Sequence, residues 1–258
     1  MNTTAPLVEL RAIEKLREEE LEEARSIQGV MLPAEPLRTA NVRISHEFQP
    51  VAEVGGDFLD YFELTDGCIG LYLGDVSGKG LPAAMYAALA VGTLRGVHKT
   101  GQSPAHVLST LNRRLMIRGT PRRHAAMQYA VFDPSTREMQ IASAGMPGPL
   151  YLSARGCRVL EIQGIPPGLF DPGVTYDNSK LILEPNDSVL FFTDGLTDAF
   201  DTEGESFGIE RLQALCESPF HGSPMELLSQ IFAAVERFAR GRTQHDDMAA
   251  AVFHYRHD

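Results

Sequence analysis

Five aspartates in this chain stand where an apolar run stops or starts. Asp57 follows Gly55-Gly56, Asp75 ends CIGLYLGD, Asp194 follows SVLFFT, and Asp246-Asp247 immediately precede MAAAVFHY. A carboxylate fixed at a strand end, with glycine beside it so that a ligand can approach the backbone, suits the capture of a cation. Residues 44–78 and 181–210 together hold fifteen Asp and Glu and not one Lys or Arg. Two like charges about 4 Å apart repel by roughly 4 kcal/mol at an effective dielectric near 20, so converging carboxylates need a neutralising partner. Hard oxygen ligands favour magnesium or manganese, whereas zinc would want more His or Cys. Two such ions about 3.5–4 Å apart can hold a hydroxide between them and clamp a phosphate ester.

The elements around these acids are legible as strands and helices. GDFLDYFEL and CIGLYLGD read as a hairpin turning around Thr65-Asp66-Gly67. A turn centred near Asp66 pairs residues whose numbers sum to about 132, which sets Asp57 opposite Asp75 with Cβ atoms about 4.5–5.5 Å apart. NVRISHEFQ is a further strand. Helices are expected over 81–97, with Pro82 in the first turn, and over 103–118, with Ser103 as N-cap. AAMQYAVFD, EMQIASAG, GPLYLSA, RVLEIQG, NSKLILE and DSVLFFTD read as antiparallel strands, with turns at Asp133-Pro134, Pro147-Gly148 and 185–187. Helices over 210–216 and 224–240 and the strand DMAAAVFHY close the chain. The pattern is α+β, without the βαβ alternation of a doubly wound nucleotide fold.

Ahead of this domain, residues 7–30 place apolar side chains at Leu10, Ile13, Leu16, Leu21, Ala24, Ile27 and Met31. That spacing predicts an amphipathic helix, ended by Pro33 and Pro36. Arg17 and Glu20 interrupt its best heptad seam, leaving open a short coiled coil or a helix packed on its own domain. The expected division is a helical linker over 1–36 and a single domain over 37–258.

Other chemistries are poorly supported. Gly78-Lys79-Gly80 lacks the Ser or Thr of a phosphate loop, because Leu81 follows, and its upstream glycine is misplaced. His245, beside Asp246, is either a ligand or general acid or a packing residue. Neither a GxSxG elbow nor HExxH occurs. A net charge of −11 argues against a sequence-independent grip on nucleic acid or anionic lipid. Cys68, Cys157 and Cys216 are odd in number and far apart in sequence, which suggests free thiols in a reducing compartment. The longest apolar stretch, 81–94, is too short to span a bilayer, and the N-terminus lacks a signal-peptide pattern, so a cytoplasmic protein is expected.

In sequence order, VGGDFLDYFEL, LYLGDVSGKGLPAAMYAALA, SAGMPGPLYL, FFTDGLTDAFDTEGESFG and HDDMAAAVF resemble the SpoIIE-like (RsbU-type) serine/threonine phosphatases of the metal-dependent PPM superfamily. The resemblance covers residue 24 to the end. It implies an α-β-β-α sandwich of two antiparallel sheets flanked by helices, with two Mn²⁺ or Mg²⁺ ions between the sheets. Asp57 and Asp75 match the first acidic ligands, Val76 would offer its carbonyl, and Asp194 matches the third carboxylate. Asp246 matches the direct ligand of the terminal motif, with Asp247 in the outer shell or binding weakly. The implied reaction is attack of metal-bridging water on phosphoserine or phosphothreonine.

By the same resemblance, the substrate would be a phosphorylated STAS-domain, anti-anti-sigma-type protein. The N-terminal helix would connect to an upstream sensor or activator, or support a homodimer. Three positions depart from the pattern: Met146 replaces a His, Ala249 a Thr, and Met127 lies where Thr is frequent. These departures leave open a non-catalytic pseudophosphatase acting as a partner-binding module. Arg122 and Arg123 are candidate phosphate-binding residues, although solvated loop charges would look the same in sequence.

Overall fold

A computed structural model describes residues 4–64, 67–97, 102–117, 123–217 and 223–256. The N-terminal helix α1 (Thr4–Gly29) precedes strands β1 (Leu37–Arg38), β2 (Val42–Gln49), β3 (Phe58–Glu63) and β4 (Ile69–Val76). Helices α2 (Leu81–Arg95) and α3 (Pro104–Ile117) follow, then β5 (Ala125–Asp133), β6 (Glu138–Ala144), β7 (Leu150–Ser153), β8 (Gly156–Val159), β9 (Ser179–Ile182) and β10 (Ser188–Phe192). A short helix α4 (Asp194–Thr197) leads to α5 (Gly208–Cys216), α6 (Pro224–Ala239) and β11 (Met248–Tyr255).

The strands form two antiparallel sheets, ordered β1-β2-β11-β10-β7-β8 and β3-β4-β5-β6-β9. Strands β4, β10 and β11 are buried on both faces, which is why they are nearly continuous apolar runs. Alternation still sorts their side chains. Ala249, Ala251 and Phe253 of β11 meet Leu71 and Leu73 of β4 between the sheets. Met248, Ala250 and Val252 turn to α5 and α6, and Tyr72 and Val76 turn to α2 and α3. The result is the expected α-β-β-α sandwich, with three apolar layers. Full burial of each Leu or Phe in them is worth about 1.5–3 kcal/mol.

The hairpin register follows the sequence expectation: Phe58 pairs with Gly74 and Glu63 with Ile69. Of its turn, Thr65 and Asp66 lie outside the described residues. Two other expected turns carry the chain between sheets, because β6 and β9 belong to one sheet and β7 and β10 to the other. The run 158–164 is strand only to Val159 and then leaves the sheet. Its partner β7 itself ends after four residues, at Ser153.

Helix α1 is exposed throughout 11–20, with Ile13 and Leu16 facing solvent, so this part does not pack on the domain. Its last turn does: Gln28 is buried. The three cysteines are free, but Cys157 on β8 and Cys216 at the end of α5 are close enough to influence each other's thiols, a proximity their sequence separation concealed. Among the described residues no helix is long and apolar enough to cross a membrane.

Candidate metal centre

The acids come from both sheets at one end of the sandwich. Asp57 lies one residue before β3 and, continuing the ladder, opposite Asp75 in β4, so the two carboxyl groups are close neighbours. Asp194 is the first residue of α4, immediately past β10, and Asp246 and Asp247 precede β11. Antiparallel pairing of β10 with β11 matches Phe192 to Ala250, which brings the end of the first beside the start of the second.

Hydrogen bonds join the two halves. Thr193 is N-cap of α4, yet its hydroxyl donates across the sandwich to Asp57 Oδ2 at 2.8 Å and accepts from the Ala249 amide at 2.9 Å. Asp247 is buried and receives the Val51 amide on Oδ1 at 2.8 Å and the Gly56 amide on Oδ2 at 2.6 Å. It therefore fastens the loop before Asp57 to the other sheet. Glycine is required where these segments touch. A Cβ at Gly56 would meet the Val76 carbonyl at 2.8 Å, and one at Gly195 would overlap the Asp247 carbonyl.

The same loop is gripped from its other side by Gln28 of α1. The Gln28 amide donates to the Gly55 carbonyl at 2.7 Å and accepts from the Gly55 N–H at 3.0 Å. Gln28→Ala leaves both backbone groups buried without that partner, so stability should fall by about 2–3 kcal/mol, measurable by urea denaturation with unchanged m-value.

Electrostatically the cluster is under-neutralised. Several acids from the two basic-free stretches find cations elsewhere in the fold: Asp60 pairs with Arg95, Glu184 with Arg137 and Glu205 with Arg211. Asp246 pairs with Lys79 at 3.3 Å. Asp57, Asp75 and Asp194 have no Lys or Arg partner among the described residues. Burial raises the Asp57 pKa well above the ordinary carboxylate range, and Asp75 and Asp247 add to it. Burial, then Asp194 and Asp246, push Asp75 up to about 7. Asp194 is also raised, by burial and then by Asp198 and Asp246.

These oxygen donors fit a hard divalent cation in chemistry and in sign. Among the described residues, however, no three His, Cys, Asp or Glu side chains already form a closed cage.

Sequence reasoning missed three contributors. Lys79 belongs to no phosphate loop; its ammonium reaches Asp246 and the His245 carbonyl. Thr193 was signalled only by preceding Asp194, and Gln28 by nothing local. The His245 ring packs edge-on against Phe200 at 5.7 Å, in keeping with the packing alternative. Met127 is fully buried, and Met146 and Ala249 lie in the layer between the sheets. Arg122 lies outside the described residues, and the Arg123 guanidinium donates to the Ser77 carbonyl beside the Asp75 loop.

Comparison with known proteins agrees with this architecture. The chain is 26% identical over 245 residues to the phosphoserine phosphatase RsbU of Bacillus subtilis, covering 94% of this chain and 72% of RsbU. It is 27% identical over 184 residues to the phosphoserine phosphatase RsbP of the same organism, covering 69% of this chain and 45% of RsbP. The SiaA-PP2C domain of Pseudomonas aeruginosa superposes with a TM-score of 0.82 at 22% identity, covering 96% of this chain and 98% of that one. The PP2C domain of SpoIIE from B. subtilis, solved with a fragment of its regulatory domain, gives 0.73 at 15%, covering 84% and 64%. These two structures share the fold. Residues 65–256 match the family described as Stage II sporulation protein E, and the chain therefore belongs to the SpoIIE family.

Proposed function

We propose that the protein is a divalent-metal-dependent protein serine/threonine phosphatase. The observation that carries this reading is the selective absence of counter-charge. Among the described residues the fold supplies Arg or Lys to peripheral acids of the two stretches and none to Asp57, Asp75 and Asp194. In this reading Asp57, Asp75, the Val76 carbonyl, Asp194 and Asp246 hold the ions, while Asp247 supports the loop through its two amide contacts. Bound Mn²⁺ or Mg²⁺ would neutralise the carboxylates and lower the pKa of a coordinated water from about 15.7 toward 7. Thr193 fixes the Asp57 carboxylate, and Lys79 keeps a positive charge at the mouth of the site.

By similarity to RsbU and RsbP, which are phosphoserine phosphatases, the substrate is a phosphorylated STAS-type signalling protein of a partner-switching system. Residues 1–36 form a regulatory linker to the phosphatase domain at 37–258, and the exposed Ile13 and Leu16 are available to a second copy or an upstream activator. A chain lacking residues 1–20 should be monomeric where the full chain is a dimer. A monomer both before and after the deletion would remove the dimer.

A second reading, a partner-binding module that holds metal poorly, is favoured by the lack of a closed cage among the described residues. One comparison separates the two: manganese-dependent phosphate release from a serine-phosphorylated STAS protein and from a small phosphoester. Release from neither, with Asp75→Asn indistinguishable from wild type, would reject the enzyme.

A further inference from the structure

The end of the sandwich remote from the aspartates contains a cavity of about 840 Å³. It lies between β1, the starts of β2 and β10, the end of β11 and the N-terminus of α6. The eight residues of β11 connect the two ends, so at ~3.3 Å per residue His254 is roughly 20 Å from Asp247. The cavity is thus separate from the metal centre.

Its chemistry has the opposite sign. Arg38, Arg43 and Arg256 line it, and none is salt-bridged to a carboxylate among the described residues. In a chain with 34 acidic and 23 basic residues, three arginines gathered around a single lining carboxylate, Asp187, are not the expected default. Arg43 donates to the carbonyls of Thr39 and Val42, which anchors it at the rim. Arg38 and Arg256 are exposed and their side chains make no hydrogen bond with described residues.

The floor is buried and polar, formed by Ser45, Ser188 and His254. Ser188 Oγ and His254 Nδ1 are 2.9 Å apart. The other ring nitrogen has no hydrogen-bond partner among the described residues, although His254 is only 7% exposed. Burial, then the charges of Arg256 and Arg43, hold its pKa below the usual value, so the ring is neutral. In the tautomer in which Ser188 donates to Nδ1, Nε2 carries the proton and is available to donate to a ligand. The one carboxylate in the lining, Asp187, accepts from the Tyr151 hydroxyl and the Glu184 amide, both on Oδ2.

We propose that this cavity is a binding site for a small phosphate-bearing anion, gripped by Arg38, Arg43 and Arg256 with the buried His254 and Ser188 beneath it. The volume is that of a site for a nucleotide-sized ligand, within the ~300–1,000 Å³ typical of small-molecule pockets. Arginine suits phosphate because its planar donors can bond two oxygens at once. The assignment does not depend on the phosphatase reading.

Inorganic pyrophosphate is the probe, titrated calorimetrically into the full chain after metal and chelator have been removed. In that state the aspartate end repels anions. Saturable one-to-one binding is expected, weakened at least about tenfold by the double variant Arg38→Gln/Arg256→Gln, whose exposed side chains support no structure, and unchanged by Arg155→Gln on the β7–β8 turn. In wild type the His254 ring resonances should shift as the probe saturates. Absence of saturable binding, binding indifferent to the double variant, or binding that leaves His254 unmoved would each overturn the site. Capture of a phosphopeptide without any pyrophosphate binding would assign the cavity to a macromolecule and overturn the small-anion proposal.

Discussion

Asp75→Asn is expected to lower phosphate release by about a thousandfold, roughly 4 kcal/mol in the barrier, while stabilising the metal-free protein. The loss should exceed the 10–100-fold typical of residues that merely support a metal ligand, because an anionic donor itself disappears. The gain in stability has the opposite origin. Asp75 titrates near 7 in the folded chain against an ordinary 3.8, because it is buried beside Asp194 and Asp246.

Between about pH 4 and 7 the folded state of the metal-free wild type therefore binds more protons than the unfolded state, and stability falls as pH rises through that window. Above pH 7 the accumulated penalty reaches at most about 4 kcal/mol. Asparagine removes it, so the two denaturation curves should coincide near pH 4 and separate toward pH 7. Manganese at about 100 times its dissociation constant should restore roughly 2.7 kcal/mol to wild type. A metal-free variant no more stable than wild type above pH 7 would show that the cluster is not strained.

Gly195→Ala should cost about 2–3 kcal/mol, against the trend for a helical position. Gly195 is the second residue of α4, where alanine would ordinarily gain up to about 1 kcal/mol. The added Cβ overlaps the Asp247 carbonyl, which belongs to backbone rather than a flexible side chain. That backbone leads directly into β11, which is paired on both sides and cannot yield, so steric cost wins. The displacement also separates Asp194 from Asp246, and manganese affinity measured by calorimetry should fall at least about tenfold. Gly92→Ala provides the contrast. It lies inside α2 with nothing within 4 Å of the new Cβ and should stabilise by about 0.5–1 kcal/mol. Equal effects at the two glycines would refute the steric account.

How much of this was legible in the sequence depends on the range of the interaction. The opposition of Asp57 and Asp75 follows from hairpin register, a local property fixed by turn position, and the observed pairing of Phe58 with Gly74 has the expected sum. Long apolar runs likewise announced strands buried on both faces. The Thr193–Asp57 bond spans 136 residues and the Lys79–His245 contact 166, so neither leaves a periodic trace. The switches of the chain from β6 to β7 and from β9 to β10 were equally hidden, since a turn between two sheets and a hairpin turn use the same residues. Counter-charge was the subtlest case: the missing bases of the acidic stretches were partly supplied from α2, α5 and the β5–β6 turn, and only the structure shows which acids were passed over.

Strand β11 has every residue buried, a full-length ladder to β2 from Met248–Gln49 to Tyr255–Val42, and a second ladder to β10 from Ala250–Phe192 to His254–Ser188. Its amides should be among the last in the molecule to exchange with deuterium, opening only with global unfolding. Asp246 and Asp247 hang from that slow segment, whereas Asp57 follows an irregular loop held by Asp247 and Gln28. The centre is consequently asymmetric in time: Asp75 in β4 and the pair before β11 are as permanent as the sheets, whereas the loop leading to Asp57 can come and go on the schedule of a few side-chain bonds.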